Sequence, residues 1–297
     1  MKKIIIIAVI NCATIFLAGC TVQSQIKEPV VKVYSKFIPE REDDFAWEND
    51  KVAFRMYGPS SNSSGPVSGV DCWLKRVNYS IIDKWYEAHT KGISYHTDWG
   101  EGYDPYHVGA TRGCGGTAIW IDGKAFPAGK FKAWRIIENE TNKTSFELDY
   151  AWQTSLGLIQ ETKLISLTLG SQLYQVESRF LLNGKPAKNL SIAIGLSTHD
   201  SVAKVHRNLS KGLIATWEKF SEHYLGTGAL VDPTLVDDII EQKSAKKDKS
   251  HVWLISHTNE QGKFEYSAGY GWQRAGEFKT PENWYTYLSN FNKKEQK

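Results

Sequence analysis

Short alternating segments dominate the hydrophobic pattern of this chain. Val52, Phe54 and Met56 occupy every second position of KVAFRMYG, and segments of the same style recur at short intervals. A period of two places alternate side chains on one face of a sheet, so each segment predicts a β-strand. The further predicted strands are TAIWIDG, SFELDYAW, ETKLISLTL, SQLYQVESRFLL, LSIAIGLS, LIATWEK, HVWLISH and KFEYSAGYGW.

Helical patterns are scarce. TPENWYTYLSNFNKK predicts a C-terminal helix with Thr280 as N-cap and Glu282 in the first turn. VDDIIEQK predicts a second, short helix, and IDGK and LNGK predict turns because Asp-Gly and Asn-Gly tolerate positive φ. The pattern predicts an all-β fold, a large antiparallel β-sandwich with long loops and a short C-terminal helix.

Residues 1–19 have the layout of an export signal. Lys2 and Lys3 precede the apolar run IIIIAVINCATIFLA, which is short for a transmembrane helix. The run ends in Leu-Ala-Gly-Cys20, which resembles the bacterial lipobox and implies that Cys20 is the lipidated first residue of the mature protein. An ordinary cleaved signal peptide is the alternative. We expect an exported lipoprotein, anchored to a membrane in the periplasm or at the cell surface.

The remaining chain divides simply. Residues 20–36 are polar and predict a tether, and residues 37–297 are long enough for a single β-sandwich domain. The formal net charge is only +3 and no basic stripe is visible, so we expect no nucleic-acid partner.

Cysteine usage gives no sign of a metal centre. Export permits a disulfide between Cys72 and Cys114, and two buried free thiols are the alternative. Neither a zinc-type cysteine cluster nor a CxxC motif is present. We predict no cofactor; the alternative is a divalent cation held by His96, Asp98, Glu101, Asp104 and His107, whose spacing matches no recognised metal motif.

The densest polar segment is SYHTDWGEGYDPYHVGATRGCGG, residues 94–116. It combines histidines, acids, an arginine and tyrosines with six glycines, and long loops of this richness are usually functional. It lacks the Lys-Ser/Thr of a phosphate loop and the context of a nucleophile elbow. A hydrogen-bonded loop with structural histidines is the alternative. The candidate residues here are Tyr95, His96, Glu101, Asp104, Tyr106, His107 and Arg112.

Four other segments carry charge beside aromatic rings. They are PEREDDFAWEND, DCWLKRVNYSIIDKWYEAH, GLSTHD and SAGYGWQR. Trp side chains can stack on a sugar face, and cations can pair with the carboxylate of an acidic sugar. A buried or solvated structural role is the alternative for each residue. The candidate substrate-binding residues in these segments are Arg41, Asp44, Trp47, Glu48, Lys75, Lys84, Trp85, His199 and Trp272.

Long segments of the chain resemble the family of domain of unknown function 4861. They are FIPEREDDFAWENDKVAFRMYGP, SGVDCWLKRVNYSIIDKWY, SYHTDWGEGYDPYHVGATRGCGG and ETKLISLTLGSQLYQVESRF, in the same order over nearly the whole mature chain. The resemblance implies an exported, often lipidated protein of bacterial systems that degrade uronic-acid polysaccharides such as pectins and ulvan. It also implies a galactose-mutarotase-like super-sandwich fold and an oligosaccharide substrate.

Elimination at a uronate is the reaction that this resemblance favours. A cation or hydrogen-bond donors must neutralise the carboxylate, a base must remove the C5 proton and an acid must protonate the leaving oxygen. Arg112 or Arg41 is predicted for the first role. His96 or His107 is predicted as the base, and Tyr95 or Tyr106 as the acid. Loss of water would define a dehydratase, and loss of a glycosidic oxygen a lyase.

Other functions stay open at this point. Glycoside hydrolysis needs two carboxylates at a defined separation, and mutarotation would use a histidine and a carboxylate. A non-catalytic carbohydrate-binding lipoprotein is the alternative from another class. The carboxylates that could serve a hydrolase are Asp43, Asp44, Glu48, Asp98, Glu101 and Asp104.

Overall fold

The computed structural model describes residues 31–63, 65–106 and 108–295. These residues form three sheets whose strand pairings are all antiparallel, with a helix near the C-terminus. The predicted all-β sandwich is therefore confirmed. The expected signal peptide, Cys20 and most of the expected tether lie outside the described residues.

The first sheet has the strand order β1-β2-β3-β4-β5. Its first strand begins inside the segment predicted as a tether, so residues 34–36 belong to the sheet. The strands are β1 (Tyr34–Ile38), β2 (Asp44–Glu48), β3 (Ala53–Met56), β4 (Asp71–Lys75) and β5 (Gly102–Tyr103).

The second sheet is the largest, with the order β14-β15-β16-β19-β11-β10-β9-β8 and β12 paired to β11. The third sheet has the order β17-β18-β13-β6-β7. The strands of the second sheet are β8 (Ala133–Asn139), β9 (Lys143–Thr154), β10 (Gly157–Thr168), β11 (Leu173–Leu182), β12 (Lys185–Pro186), β14 (Lys204–Asn208), β15 (Leu213–Phe220), β16 (His223–Leu230) and β19 (Lys263–Trp272). The strands of the third sheet are β6 (Cys114–Ile121), β7 (Lys124–Phe126), β13 (Ser191–Ser197), β17 (Val236–Gln242) and β18 (His251–His257).

The main core lies where the other two sheets cover one face of the second sheet. β10 shows why, because every second residue from Ile159 to Leu167 is buried. Even Glu161 and Lys163 follow this alternation, and they pair inside the core at 3.3 Å. Cys72 and Cys114 are both buried here as free thiols, which is the second of the two alternatives.

Two helices cover the remaining apolar faces. α1 (Ile82–Thr90) packs on the outer face of the first sheet, and α2 (Pro281–Glu295) packs on the outer face of the second. Thr280 Oγ1 accepts from Asn283 N–H at 3.3 Å, so the predicted N-cap of α2 is confirmed. Neither helix of the described chain is long and apolar enough to span a membrane. Short 3-10 helices occupy Leu209–Lys211, Pro233–Leu235 and Gln273–Ala275.

The helix predicted for VDDIIEQK is wrong. These residues contain the whole of β17, which pairs with β18 through a register that sets Ile239 opposite Leu254 and Ile240 opposite Trp253. The spacing of its apolar residues fits a helix, but sheet pairing decides the conformation. α1 was not predicted.

Candidate functional site

The dense polar segment 94–106 lies along the edge of the first sheet. At Gly102, φ is +125° and a Cβ would stand 1.9 Å from Leu74 O, so only glycine permits this approach to β4. Asp104 N–H donates to Tyr95 O at 2.8 Å and closes the loop between them. The segment is therefore fixed against the sheet.

A buried arginine anchors this segment. Arg55 on β3 donates to Asp71 Oδ2 at 2.5 and 3.0 Å and to Asp104 Oδ2 at 2.8 Å. Its Nη1 also donates to the Tyr95 hydroxyl at 3.1 Å and lies 3.7 Å from Asp44 Oδ2. A buried charge persists only when it is paired and hydrogen-bonded. We call Arg55, Asp44, Asp71 and Asp104 the Arg55 cluster.

Three carboxylates surround one guanidinium in the Arg55 cluster. Burial raises the pKa of Asp44 to about 6, although Arg55 opposes the shift. Burial and the neighbouring Asp71 raise the pKa of Asp104 well above its usual range. Burial acts to lower the pKa of Arg55, but Asp104 and Asp71 outweigh it and raise that pKa. These enclosed, paired carboxylates hold the loop and offer no open pair for hydrolysis.

His96 lies at the outer edge of the Arg55 cluster. Its Nδ1 is 2.8 Å from Asp104 O and 3.5 Å from Asp104 Oδ2, and its side chain is half exposed. The Tyr95 ring lies beneath it, with the two ring centroids 4.6 Å apart. The structure brings these two predicted catalytic residues together, but the Tyr95 hydroxyl is engaged by Arg55.

Arg112 lies in different surroundings. Its guanidinium is buried and donates to Ser68 Oγ at 3.1 Å and to Pro66 O. Burial lowers the pKa of Arg112 to about 10. Arg112 shares no hydrogen-bond partner with His96 among the described residues. A fully enclosed guanidinium does not fit the predicted role of neutralising a substrate carboxylate. His107, the other histidine predicted as the base, lies outside the described residues.

A histidine–carboxylate pair stands where β13 and β15 end. His199 Nδ1 lies 2.5 Å from Glu218 Oε1, and the Glu218 side chain is almost fully buried. His199, Asp200 and Ser201 have φ of +42°, +59° and +70°. Three consecutive non-glycine residues in the left-handed region carry strain, which proteins commonly store at functional sites.

Tyr106 packs against this pair. Its ring meets His199 edge-on at 4.9 Å and stacks on Phe220 at 5.8 Å. The Tyr106 hydroxyl is buried and has no hydrogen-bond partner among the described residues. Burial raises the pKa of Tyr106 well above its usual range, so the hydroxyl stays protonated at neutral pH.

These three side chains can perform acid–base chemistry. The carboxylate of Glu218 fixes the His199 ring through Nδ1, which leaves Nε2 to exchange a proton with a ligand. The protonated Tyr106 hydroxyl is a donor with an unused hydrogen bond. A candidate base and a candidate acid therefore lie in ring contact, with the Tyr106 hydroxyl enclosed and the His199 side chain about a quarter exposed.

A groove of about 560 Å³ opens beside α1. Trp99 forms part of its wall, 68% exposed, yet its Nε1 donates to Ser94 O at 3.0 Å. This bond fixes the ring, so a rigid indole face is presented to solvent. We call this the aromatic groove; it is lined by Tyr79, Lys84, Trp85, Ala88, Ile93, Ser94, Tyr95, Thr97, Trp99, Gly100, Glu101 and Gly102.

Glu101 joins the polar groups of the aromatic groove. Its carboxylate accepts from Tyr79 Oη at 2.5 Å, Lys84 Nζ at 2.5 Å and Trp85 Nε1 at 3.1 Å. Burial acts to raise the pKa of Glu101, but bonds from Lys84 and Tyr79 outweigh it and lower that pKa. Three of the predicted binding residues, Lys84, Trp85 and Glu101, thus meet in one place.

Other predicted binding residues lie in the interior. Trp47 and Trp272 are core residues, so neither offers a face for stacking on a sugar, and this prediction is wrong for both. Glu48 and Lys75 are fully buried and bond to each other at 2.7 Å, so they do not reach a ligand either. Arg41 is partly exposed and pairs with Glu42 at 2.8 Å and Asp44 at 3.4 Å.

Two residues of the candidate site were missed. Trp99 lies in the dense polar segment between Asp98 and Gly100. Asp and Gly favour turns, and turns lie at the surface, so these neighbours indicate that the indole is exposed. Glu218 belongs to LIATWEK, a predicted strand, and alternation places it on the same face as core residues. In the part of the chain that the structure describes, no three His, Cys, Asp or Glu side chains are arranged to hold a metal ion.

Comparisons with known proteins give a family. The model of the family described as domain of unknown function DUF4861 matches residues 17–297. Uncharacterized protein P7 from Formosa agariphila is 38% identical over 279 residues, which cover 90% of this chain and 69% of that protein.

Solved structures give only weak similarity. They include the GH36 α-galactosidase AgaB from Geobacillus stearothermophilus, with 13% identity over 80% of this chain and 41% of that one and a TM-score of 0.39. A 4-alpha-glucanotransferase from Thermococcus litoralis is 10% identical over 82% of this chain and 39% of that one, with a TM-score of 0.34. This chain spans about two fifths of these structures, and similarity at this level carries no argument about activity.

Proposed function

This chain belongs to the DUF4861 family, and from that premise we propose that it acts on uronic-acid-containing oligosaccharides by elimination at a uronate. The observation that carries the proposal is the contact of His199 with both Glu218 and Tyr106. In the proposed mechanism His199 is the base, fixed by the Glu218 carboxylate, and Tyr106 is the acid.

The reaction follows from these positions. His199 Nε2 removes the C5 proton of the uronate, the C4–O bond breaks, and the electrons of the C5–H bond form the C4=C5 double bond. The Tyr106 hydroxyl gives its proton to the departing oxygen. Glu218 stabilises the imidazolium that forms, and a proton returned from His199 to Tyr106, or exchanged with water, restores both groups.

The substrate carboxylate also needs a cation, and Lys249 supports this role better than Arg112. Lys249 is exposed, and its neighbour Asp248 donates its backbone N–H to Asp200 Oδ1 at 2.7 Å, next to His199 in sequence. Positive charge near the carboxylate makes the enolate-like state accessible.

Elimination is favoured over hydrolysis by the same geometry. A hydrolase needs two accessible carboxylates. Asp44 and Asp104 are enclosed around Arg55, and Glu48 is bonded to Lys75. The other three candidate carboxylates also have partners: Asp98 pairs with Arg274, Glu101 pairs with Lys84, and Asp43 accepts from Ser60 Oγ. A histidine–tyrosine pair suits proton removal next to a carboxylate.

The test uses the purified protein and saturated uronate-ended oligosaccharides from pectin and ulvan digests. Ultraviolet absorbance and product mass are followed together. New absorbance with loss of one water identifies a dehydratase, and new absorbance with chain shortening a lyase. Shortening without absorbance identifies a hydrolase and overturns elimination. Binding without any product contradicts catalysis and favours a carbohydrate-binding protein.

We further propose that the protein is exported and lipidated at Cys20, as the first twenty residues indicate. Membrane fractionation of producing cells tests this. Wild type is expected in the membrane fraction with the mass of an acylated chain, and Cys20→Ser in the soluble fraction. Equal soluble amounts of both would contradict the anchor.

A further inference from the structure

The aromatic groove has the properties of a binding site apart from the His199–Glu218 pair. Trp99 is 68% exposed, whereas Trp85 in the same groove is nearly buried. Exposed indoles usually move freely, but here the bond from Trp99 Nε1 to Ser94 O fixes the ring. An immobilised aromatic face needs little further loss of side-chain entropy when a ligand stacks on it.

The polar edge of the groove limits what can occupy it. Lys84 is 62% exposed and its charge is balanced by Glu101, which also accepts from Tyr79 and Trp85. A purely apolar occupant would remove this ion pair from water without replacing its hydrogen bonds. An anionic occupant would be repelled by Glu101 as much as it is attracted by Lys84. The groove therefore suits a neutral ligand with one apolar face and a hydroxyl-bearing edge.

We propose that the aromatic groove is a subsite for a neutral pyranose residue, which stacks its C–H face on Trp99 and bonds its hydroxyls to Glu101 and Lys84. The proposal rests on the proposed function, because it identifies a second part of the same oligosaccharide. A uronate at His199 and a neutral sugar at Trp99 together define a mixed oligosaccharide as the ligand.

The residues between the aromatic groove and the His199–Glu218 pair support a single ligand that occupies both. Tyr103 follows the groove in sequence and its hydroxyl donates to Ser221 Oγ at 3.1 Å, next to Phe220, whose ring lies 5.0 Å from that of His199. Glu101 and Tyr106 are five positions apart in the chain, so their Cα atoms are at most about 18 Å apart. An oligosaccharide of a few residues can cover that distance.

The experiment measures binding by titration calorimetry, separately from turnover. The ligands are a mixed oligosaccharide of uronate and neutral sugar, and a homouronate of equal length. Wild type is compared with Trp99→Ala, Trp99→Phe and the matched control Trp134→Ala, which removes an exposed indole on β8. Circular dichroism verifies that each variant is folded.

We expect Trp99→Ala to bind the mixed oligosaccharide about tenfold more weakly, and Trp99→Phe to retain most of the affinity because it keeps a ring. Trp134→Ala should bind as wild type does. Unchanged affinity in Trp99→Ala overturns the proposal, and so does an equal Trp99 dependence for the homouronate. Trp99-dependent binding without any product supports the subsite while contradicting elimination. Product formation with no effect of Trp99→Ala on KM retains elimination and overturns the subsite.

Discussion

Lys75 Nζ donates to Glu48 Oε2 at 2.7 Å, and both side chains are fully buried. The same carboxylate accepts from the backbone N–H groups of Ile81 and Ile82 at 2.9–3.0 Å, at the start of α1. A strand residue therefore caps a helix 33 positions later and neutralises a buried lysine. This contact fixes α1, and with it one wall of the aromatic groove.

The first prediction concerns this ion pair. Glu48→Gln leaves Lys75 charged in the interior and weakens the cap of α1, so it should destabilise the fold by about 3–5 kcal/mol. Lys75→Met should have a similar cost, and the double variant should cost less than the two single ones together. Urea denaturation measures all three. Glu87→Gln, which breaks the exposed pair with Lys91, is the control and should leave stability unchanged. Strict additivity would contradict the coupling.

The second prediction concerns the docking of α2. Trp284 is fully buried and its Nε1 donates to Thr227 O at 3.1 Å, over Gly226, where a Cβ would stand 2.6 Å from the indole. Trp284→Ala should lower the unfolding free energy by about 3–5 kcal/mol, and Gly226→Ala should also destabilise. Thr286→Ala, exposed on the same helix, is the control for thermal melting. A melting temperature of Trp284→Ala equal to wild type would show that the helix contributes little.

The fold was readable from the sequence where one segment decides its own conformation. Alternation identified β10, and Thr280 marked the start of α2. The helix prediction for residues 236–243 was wrong because the pairing of β17 with β18 overrides the helical spacing of its apolar residues. α1 was missed because Glu48, far away in the chain, supplies its cap.

The candidate site was readable only in part, for a similar reason. The richness of residues 94–116 selected a segment that contains both Trp99 and Tyr106, and Tyr106 and His199 were both named as candidates. The contact of His199 with Glu218 depends on strand packing, which a single sequence does not reveal. Alternation also cannot tell which face of a strand meets the core, so Trp47 was assigned to a ligand although it is buried.

The third prediction uses two groups with opposite pH dependence. The pKa of Asp44 rises from 3.8 to about 6 on folding, mainly through burial. Between these values the folded chain holds a proton that the unfolded chain has lost, so stability falls as pH rises. Burial lowers the pKa of His251 from 6.5 to about 4. Between these two pKa values of His251 the unfolded chain binds a proton that the folded chain does not, so stability rises with pH. Each contribution is worth about 3 kcal/mol.

The two contributions oppose each other between pH 4 and about 6. Asp44→Asn should therefore make stability rise more steeply with pH across this window, and His251→Gln should make it fall. Urea denaturation at pH 4.5, 5.5 and 6.5 measures the slopes, with the exposed turn variant Asp122→Asn as control. Parallel slopes in wild type and both variants would show that neither group titrates as its burial predicts.

The fourth prediction concerns Glu218. Because its carboxylate fixes the His199 ring, Glu218→Gln should lower kcat by about 100-fold or more with little change in KM. Glu222→Gln removes an exposed carboxylate four residues later and should retain wild-type rates. Steady-state kinetics on the uronate-ended oligosaccharide distinguishes the two. Full turnover by Glu218→Gln would remove the pair from the mechanism.

The last prediction separates chemistry from folding at Tyr106. Its hydroxyl is buried with no partner among the described residues, so Tyr106→Phe removes an unsatisfied polar group and should leave stability unchanged or slightly higher. If that hydroxyl protonates the departing oxygen, the same variant should lower kcat by about 100-fold or more. Thermal melting and steady-state kinetics on one preparation give both values. Because a structural role would move stability and activity together, a large loss of kcat in a fully stable protein points to proton transfer. Loss of stability with turnover retained would instead make Tyr106 a packing residue.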